Sequence, residues 1–120
     1  MTRQEIIDYC LKLNDTYEDY PFGPEWTVMR HTATKKSFVF MREVHGTLRL
    51  NLKCEPALAV FLREQYKDVL AGYHMNDKQQ WNTVIANGDV PDEDLLKFIN
   101  ISYELTKPKC KKIKENNYVF

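Results

Sequence analysis

Thr47-Leu48-Arg49-Leu50-Asn51-Leu52-Lys53 is the stretch that decides the fold. Its three leucines occupy every second position, and Thr47, Arg49, Asn51 and Lys53 fill the alternate ones. Successive side chains of a strand point to opposite faces, so this pattern predicts a strand with one apolar face and one polar, basic face. A sheet built around it is covered on one side and open on the other. Just before it, His45-Gly46 suits a tight two-residue turn. Two further runs rich in aromatic and β-branched residues, Trp26 to His31 and Phe38 to Val44, read as strands. Thr32 to Lys36 connects them, with Lys35 and Lys36 at the tip, which gives a three-stranded antiparallel meander.

Working outward, Thr2-Arg3-Gln4-Glu5 is a capping box that opens a helix running through about Asn14, with Ile6, Tyr9, Cys10 and Leu13 on its apolar stripe. Asp19-Tyr20-Pro21-Phe22-Gly23-Pro24 interrupts regular structure and is expected to pack as a loop over the end of the sheet. Beyond the meander, Pro56 suits the start of a second helix, whose buried stripe is Leu58, Phe61 and Leu62, through about Tyr66. Val69 to Met75 and Trp81 to Ala86 read as two short strands, the latter closed by the turn dipeptide Asn87-Gly88. Pro91 starts a last helix whose positive end Asp92, Glu93 and Asp94 complement; Leu95, Phe98, Ile99, Ser102 and Leu105 face inward until near Pro108. The expected fold is α+β, a two-layer α-β(3)-α-β(2)-α arrangement with a largely antiparallel five-stranded sheet and helices on one face. Residues 1–107 form a single domain, and 108–120 a basic C-terminal tail carrying Lys109, Lys111, Lys112 and Lys114.

The length, 120 residues, suits one core. Hydrophobic residues at 43% rule out the composition of a disordered chain. Seventeen basic and seventeen acidic residues cancel, so electrostatic recognition requires an uneven distribution of charge. Cys10, Cys54 and Cys110 are odd in number, widely spaced and without a C-x-x-C pair, as expected of reduced thiols in a cytoplasmic protein. No stretch has the length of a signal peptide or a membrane span.

Recognition chemistry crowds into Gly72-Tyr73-His74-Met75-Asn76 and Trp81-Asn82-Thr83-Val84. Tyr73 and Trp81 suit aromatic anchors that position His74, Lys78 and Asn82. His31, His45 and His74 lack a metal-ligand spacing, and neither a nucleophile elbow, a phosphate loop nor a carboxylate pair accompanies them. The expectation is therefore no catalysis, no metal and no cofactor.

Several of these blocks carry a family resemblance: Asp19-Tyr20-Pro21-Phe22-Gly23, Leu50-Asn51-Leu52-Lys53-Cys54 with Pro56, Gly72 to Asn76, Trp81-Asn82-Thr83, Val90-Pro91-Asp92 and Ser102-Tyr103. Together, in this order, they resemble the MmcQ/YjbR family of small bacterial proteins, from the first helix to about Lys107. The resemblance implies an α-β(3)-α-β(2)-α fold related to CyaY-like and secretion-chaperone-like scaffolds. It also implies DNA binding through a double-wing arrangement. The chain departs from that pattern at Asn76-Asp77-Lys78-Gln79-Gln80-Trp81, where a single lysine stands beside an acid instead of a basic stretch.

For double-stranded DNA, the candidate contacts are Lys35, Lys36, Arg49, Lys53, His74, Lys78, Asn82, Lys109, Lys111 and Lys112, since cations neutralise phosphates and amides or imidazole reach sugars and bases. The alternative is a protein-interaction or chaperone-like module, a monomer or weak dimer that receives a partner on the open sheet face. Val39 and Met41 would supply that face if Phe38 and Phe40 point inward. Arg30 and Arg42 suit ion pairs with Asp19 or Glu43. Lysines and arginines converging on an acid-free face would favour DNA; interspersed acids would favour the interaction module.

Overall fold

The computed structural model describes residues 1–72 and 75–109. The elements are α1 (Arg3–Leu11), β1 (Thr16–Asp19), β2 (Thr27–His31), β3 (Ser37–Val44), β4 (Thr47–Lys53), α2 (Pro56–Gln65), β5 (Val69–Ala71), β6 (Trp81–Ile85) and α3 (Asp92–Thr106). The class is α+β, as expected, with six strands in one sheet in the order β1-β2-β3-β4-β6-β5 and every neighbouring pair antiparallel.

The sixth strand is the correction to the expected five. Thr16-Tyr17-Glu18-Asp19 shows no alternation of apolar residues, because it is an edge strand that pairs only with β2. Its stability comes from that ladder and from the ion pair between Asp19 and Arg30 at 2.9 Å. Pairing with β2 is a tertiary event that a local pattern does not report.

Local chemistry sets the other boundaries. The Thr2 hydroxyl accepts from the Glu5 amide while the Glu5 carboxylate accepts from the Thr2 amide, completing the capping box. His45 (φ 52°) and Gly46 (φ 79°) both occupy the left-handed region and join β3 to β4 in a two-residue turn. That turn pairs Val44 with Thr47 and so sets Glu43 opposite Leu48 and Arg42 opposite Arg49. Gly72 is buried against β6, where an added Cβ would lie 2.8 Å from the Trp81 carbonyl oxygen, so only glycine fits there without a shift.

The core sits between the helices and the face of β4 that carries Leu48, Leu50 and Leu52. Register places Met41, Val39, Met29 and Val84 on the same side. Ile6, Ile7 and Cys10 of α1, Ala59 and Leu62 of α2, and Leu95 and Ile99 of α3 complete it. The reading that put Val39 and Met41 on the open face is thus reversed: both are core residues. Phe38 is also fully buried, beside Tyr103 of α3. A register shift between β2 and β3 at Met29/Arg30 breaks the period of two, which lets the adjacent Phe38 and Val39 both be buried.

Candidate functional site

The opposite face of the sheet has no helix in its core layer. Across it, register lines up Val28, Phe40, Asn51, Thr83 and Leu70, one from each of β2, β3, β4, β6 and β5. Arg42 pairs with Arg49 on one side of this row, and Lys53 pairs with Trp81 on the other. The Phe40 and Trp81 rings meet edge to face at 5.6 Å. The 20–26 loop reaches over this face rather than over the end of the sheet, and brings Trp26 onto Arg42, whose guanidinium carbon lies 4.6 Å from the ring centroid.

Two depressions result. One, of about 250 Å³, is lined by Trp26, Arg42, Val44, Arg49, Asn51, Leu70 and Thr83. The other, of about 370 Å³, is lined by Phe22, Trp26, Phe40, Asn51, Met75 and Asn76. Trp26 and Asn51 border both, so together they form one cleft, and among the described residues no acid lines it. The Thr83 hydroxyl donates to Asn51 Oδ1, which fixes the buried carboxamide. Arg49 Nε is buried with no hydrogen-bond partner among the described residues.

The candidates named from the sequence divide between places. Arg49 and Lys53 share the open face, as the alternation of β4 requires. Lys35 and Lys36 are exposed at the β2–β3 connection, Lys78 precedes β6, and Lys109 follows α3. Antiparallel pairing brings the start of β3, the end of β4 and the start of β6 to one end of the sheet. Ser102 and Thr106 of α3 bond to Phe38 and His31 there, so the end of α3 joins them. Acids intersperse this end: Glu104 pairs with Lys107 at 2.7 Å, Asp77 neighbours Lys78, and Asp15 bonds through its carbonyl to Thr32. An acid-free basic patch therefore does not form from these lysines. The two depressions of the cleft itself are lined by Arg42 and Arg49 and, among the described residues, by no acid, although Arg42 also borders Glu25 and Glu43 on its other side.

Asn82 is corrected as well. It is buried on the helix side, where its Oδ1 accepts from Arg63 Nη1 at 2.7 Å and its Nδ2 donates to the Ala59 carbonyl at 3.2 Å. Both ends of the amide are used in tying α2 to β6, because residue 82 has the opposite parity to Trp81 and Thr83. His74, Lys111 and Lys112 lie outside the described residues, as do Tyr73 and Cys110. Arg30 forms the expected pair with Asp19. Trp26, Arg42, Asn51 and Thr83 were not singled out from the sequence as site residues; the two-residue turn at His45-Gly46 is the signal that places Arg42 opposite Arg49.

The other titratable groups are structural. Burial pushes the Cys10 thiol up to about 12 and raises that of Cys54, so neither supplies a thiolate at neutral pH. His31 is packed between Phe38 and Tyr103, with ring centroids 5.0 and 4.8 Å away, and its Nε2 lies 2.8 Å from Thr106 Oγ1. Burial lowers its pKa below the ordinary histidine value, partly opposed by a backbone hydrogen bond at Tyr103. The unfolded chain then binds a proton at mild acidity that the folded chain resists. Stability from this site is full above the unfolded value of about 6.5 and falls as the pH drops towards the lower folded value. Thermal unfolding at pH 7 and pH 5 is expected to show a loss on acidification that is smaller in His31→Phe; equal losses in the two proteins would refute this account. Among the described residues, no group of three or more His, Cys, Asp or Glu side chains is placed to hold a metal.

Fold and site define a small α+β protein with an open, aromatic and arginine-bearing sheet face. The chain belongs to the YjbR family, which it matches over residues 11–105. It is 32% identical to YyaQ of Bacillus subtilis across 89% of this chain and 99% of that one, and 29% identical to YjbR of Escherichia coli K12 across 87% and 86%. Both relatives are uncharacterised proteins. Two crystal structures are similar: a Deinococcus radiodurans protein (TM-score 0.82, 28% identity, 96% of this chain and 86% of that one) and a Pseudomonas syringae protein (TM-score 0.78, 30% identity, 89% and 100%). No helix among the described residues is long and apolar enough to cross a membrane.

Proposed function

We propose that this chain is a non-catalytic nucleic-acid-binding protein that takes a single DNA or RNA strand across the open face of its sheet. The observation that carries this reading is the acid-free cleft, which unites Phe22, Trp26 and Phe40 with Arg42 and Arg49. Single strands are held by aromatic side chains that stack on bases and by cations that track the phosphates. Phe22 is 64% exposed, and Phe40 and Trp81 are partly exposed on the same face as Lys53. A DNA duplex is less well served, since the lysines at the sheet end are mixed with acids and the chain has no net charge. A cytoplasmic setting fits, because Cys10 and Cys54 are free, buried thiols.

Fluorescence anisotropy with a labelled 20-nucleotide oligo-dT strand, and with its duplex, tests the reading. Three phosphate contacts, by Arg42, Arg49 and Lys53, would weaken single-strand binding about 20-fold between 50 and 200 mM salt. Trp26→Ala or Phe40→Ala is expected to weaken it a further ~5-fold or more. Affinity no better than millimolar at 50 mM salt, or none of this salt dependence, sinks it; duplex preferred over single strand returns the lysine-rich end as the contact surface.

A protein partner is the second reading, favoured by Val60 and by Phe61, which was expected in the buried stripe of α2 but is not part of it: they are 48% and 53% exposed, side by side, while Ala59 and Leu62 are buried. It calls for light scattering across a concentration series: a rise in mass that Phe61→Glu abolishes supports self-association through α2, and a constant monomer mass opposes it.

A further inference from the structure

Arg42 and Arg49 stand directly opposite one another on neighbouring strands, an arrangement in which like charges repel. Arg42 sets its guanidinium over the Trp26 ring. Arg49 has no such neighbour: among the described residues it makes no ion pair, and its Nε is buried without an acceptor. The pocket around it has apolar walls at Val44 and Leu70, which lower the local dielectric and sharpen both the repulsion and any attraction to an anion. Asn51, held by the Thr83 hydroxyl through its Oδ1, leaves its Nδ2 donor without a partner among the described residues, at the point where the two halves of the cleft meet.

We propose that this pocket is an oxyanion site, which takes a phosphate or carboxylate group of a ligand whose planar or apolar body lies along Trp26 and Phe40. The oxygens of such a group accept from the guanidinium N–H groups of Arg49 and Arg42 and so relieve their repulsion, and a further oxygen of a phosphate can accept from Asn51 Nδ2. The volume of about 250 Å³ admits the anionic group, and the adjoining depression of about 370 Å³ receives the body. The inference rests on the open face being the recognition surface, but not on the ligand being a polymer.

The test is titration of the ¹⁵N-labelled chain with sodium phosphate and with sodium benzoate, against sodium chloride at matched ionic strength. Arginine Nε–H resonances and tryptophan fluorescence are followed. Expected is a saturable shift of the Arg49 Nε–H with at least one oxyanion and not with chloride. The same oxyanion should raise the melting temperature by about 5 °C at tenfold the dissociation constant. Arg49→Gln and Arg42→Gln should each weaken binding tenfold or more, whereas Lys97→Gln, on the exposed side of α3, should leave it within twofold. Two arginine variants are used so that a folding defect in one leaves the other informative. A response to phosphate alone identifies a phosphate ester as the source, and a response to benzoate alone a carboxylate. The same response to chloride, no saturable shift with either oxyanion, or unchanged binding in both arginine variants overturns the site. Small anions binding where the oligo-dT strand does not leaves this site standing and removes the nucleic-acid reading; the oligo-dT strand binding with no small-anion response and no loss in Arg49→Gln does the reverse.

Discussion

Phe38→Ala is expected to destabilise the domain by about 3–5 kcal/mol, the range for removing a buried phenyl ring and leaving its cavity. Phe38 is fully buried and its ring lies 5.0 Å from that of His31 and 5.4 Å, edge on, from that of Tyr103. Those neighbours come from β2 and α3, so the cavity would open where helix and sheet join and could not close by moving one side chain. At roughly 4 °C per kcal/mol for a domain of this size, the melting temperature should fall by 12 °C or more. Phe38→Leu, which refills much of the volume, should lose less than half as much. The truncation should also let water reach His31, moving its pKa back towards the ordinary value and weakening the pH dependence described above. A melting temperature within 4 °C of the parent would show that Phe38 is not held in the core.

Ser102→Ala is expected to cost about 2–4 kcal/mol, a large effect for the removal of one oxygen. The Ser102 hydroxyl is fully buried in the middle of α3, donates to the Phe38 carbonyl at 2.6 Å and accepts from the Lys53 amide at 2.9 Å. It is thus the bridge between the irregular start of β3 and the last residue of β4, at a place where neither backbone group is satisfied within the sheet. Alanine would leave a buried carbonyl and a buried N–H unpaired, each costing about 1–3 kcal/mol, with some relief from water or small shifts. Chemical denaturation measures the total, and hydrogen exchange locates it: the Lys53 amide should lose protection before the centre of β4 does. A loss under about 0.5 kcal/mol would mean that both groups find other partners.

Ser102 also marks a limit of pattern reading. Its place on the inner face of the last helix follows from spacing with Leu95, Phe98 and Ile99, but its role as a two-way hydrogen bonder depends on what lies across from it. The same division applies to Phe38. Its chemistry promises burial, whereas the register shift that turns both Phe38 and Val39 away from solvent depends on how β2 meets β3. Reading β3 as a regular strand reversed the faces of Val39, Phe40 and Met41, and with them the character of the open face. At Asn82, parity decided the matter: Trp81 and Thr83 face the cleft, and Asn82 between them is spent on Arg63 and Ala59.

The candidate cleft divides in the same way. Arg49 and Lys53 were legible on one face of β4 because alternation is a property of a single strand. Arg42 was within reach, since a two-residue turn at His45-Gly46 dictates its pairing with Arg49. Phe22 and Trp26 were not: the loop of Phe22 could fold over the end of the sheet or over its face with equally good local geometry, and Trp26, read as the first residue of a strand, lies before β2 as part of that connection. Of the acids at the sheet end, Asp77 beside Lys78 and Glu104 three residues before Lys107 were visible in the sequence, whereas Asp15 reaches Thr32 only through folding.

By itself, then, the sequence determined the α+β class, eight of the nine elements and the polarity of β4, through the capping box, the alternating leucines, the turn dipeptides and the helical stripes. These are short-range constraints on backbone conformation and on which side of one element is apolar. Only the tertiary structure decided that Thr16–Asp19 is a strand, which way Phe38 and Phe40 point, and that Arg42 and Arg49 share an acid-free pocket under Trp26. Each of these depends on pairing or packing between elements far apart in the chain, where the free energy comes from the partner and leaves no period in the local pattern.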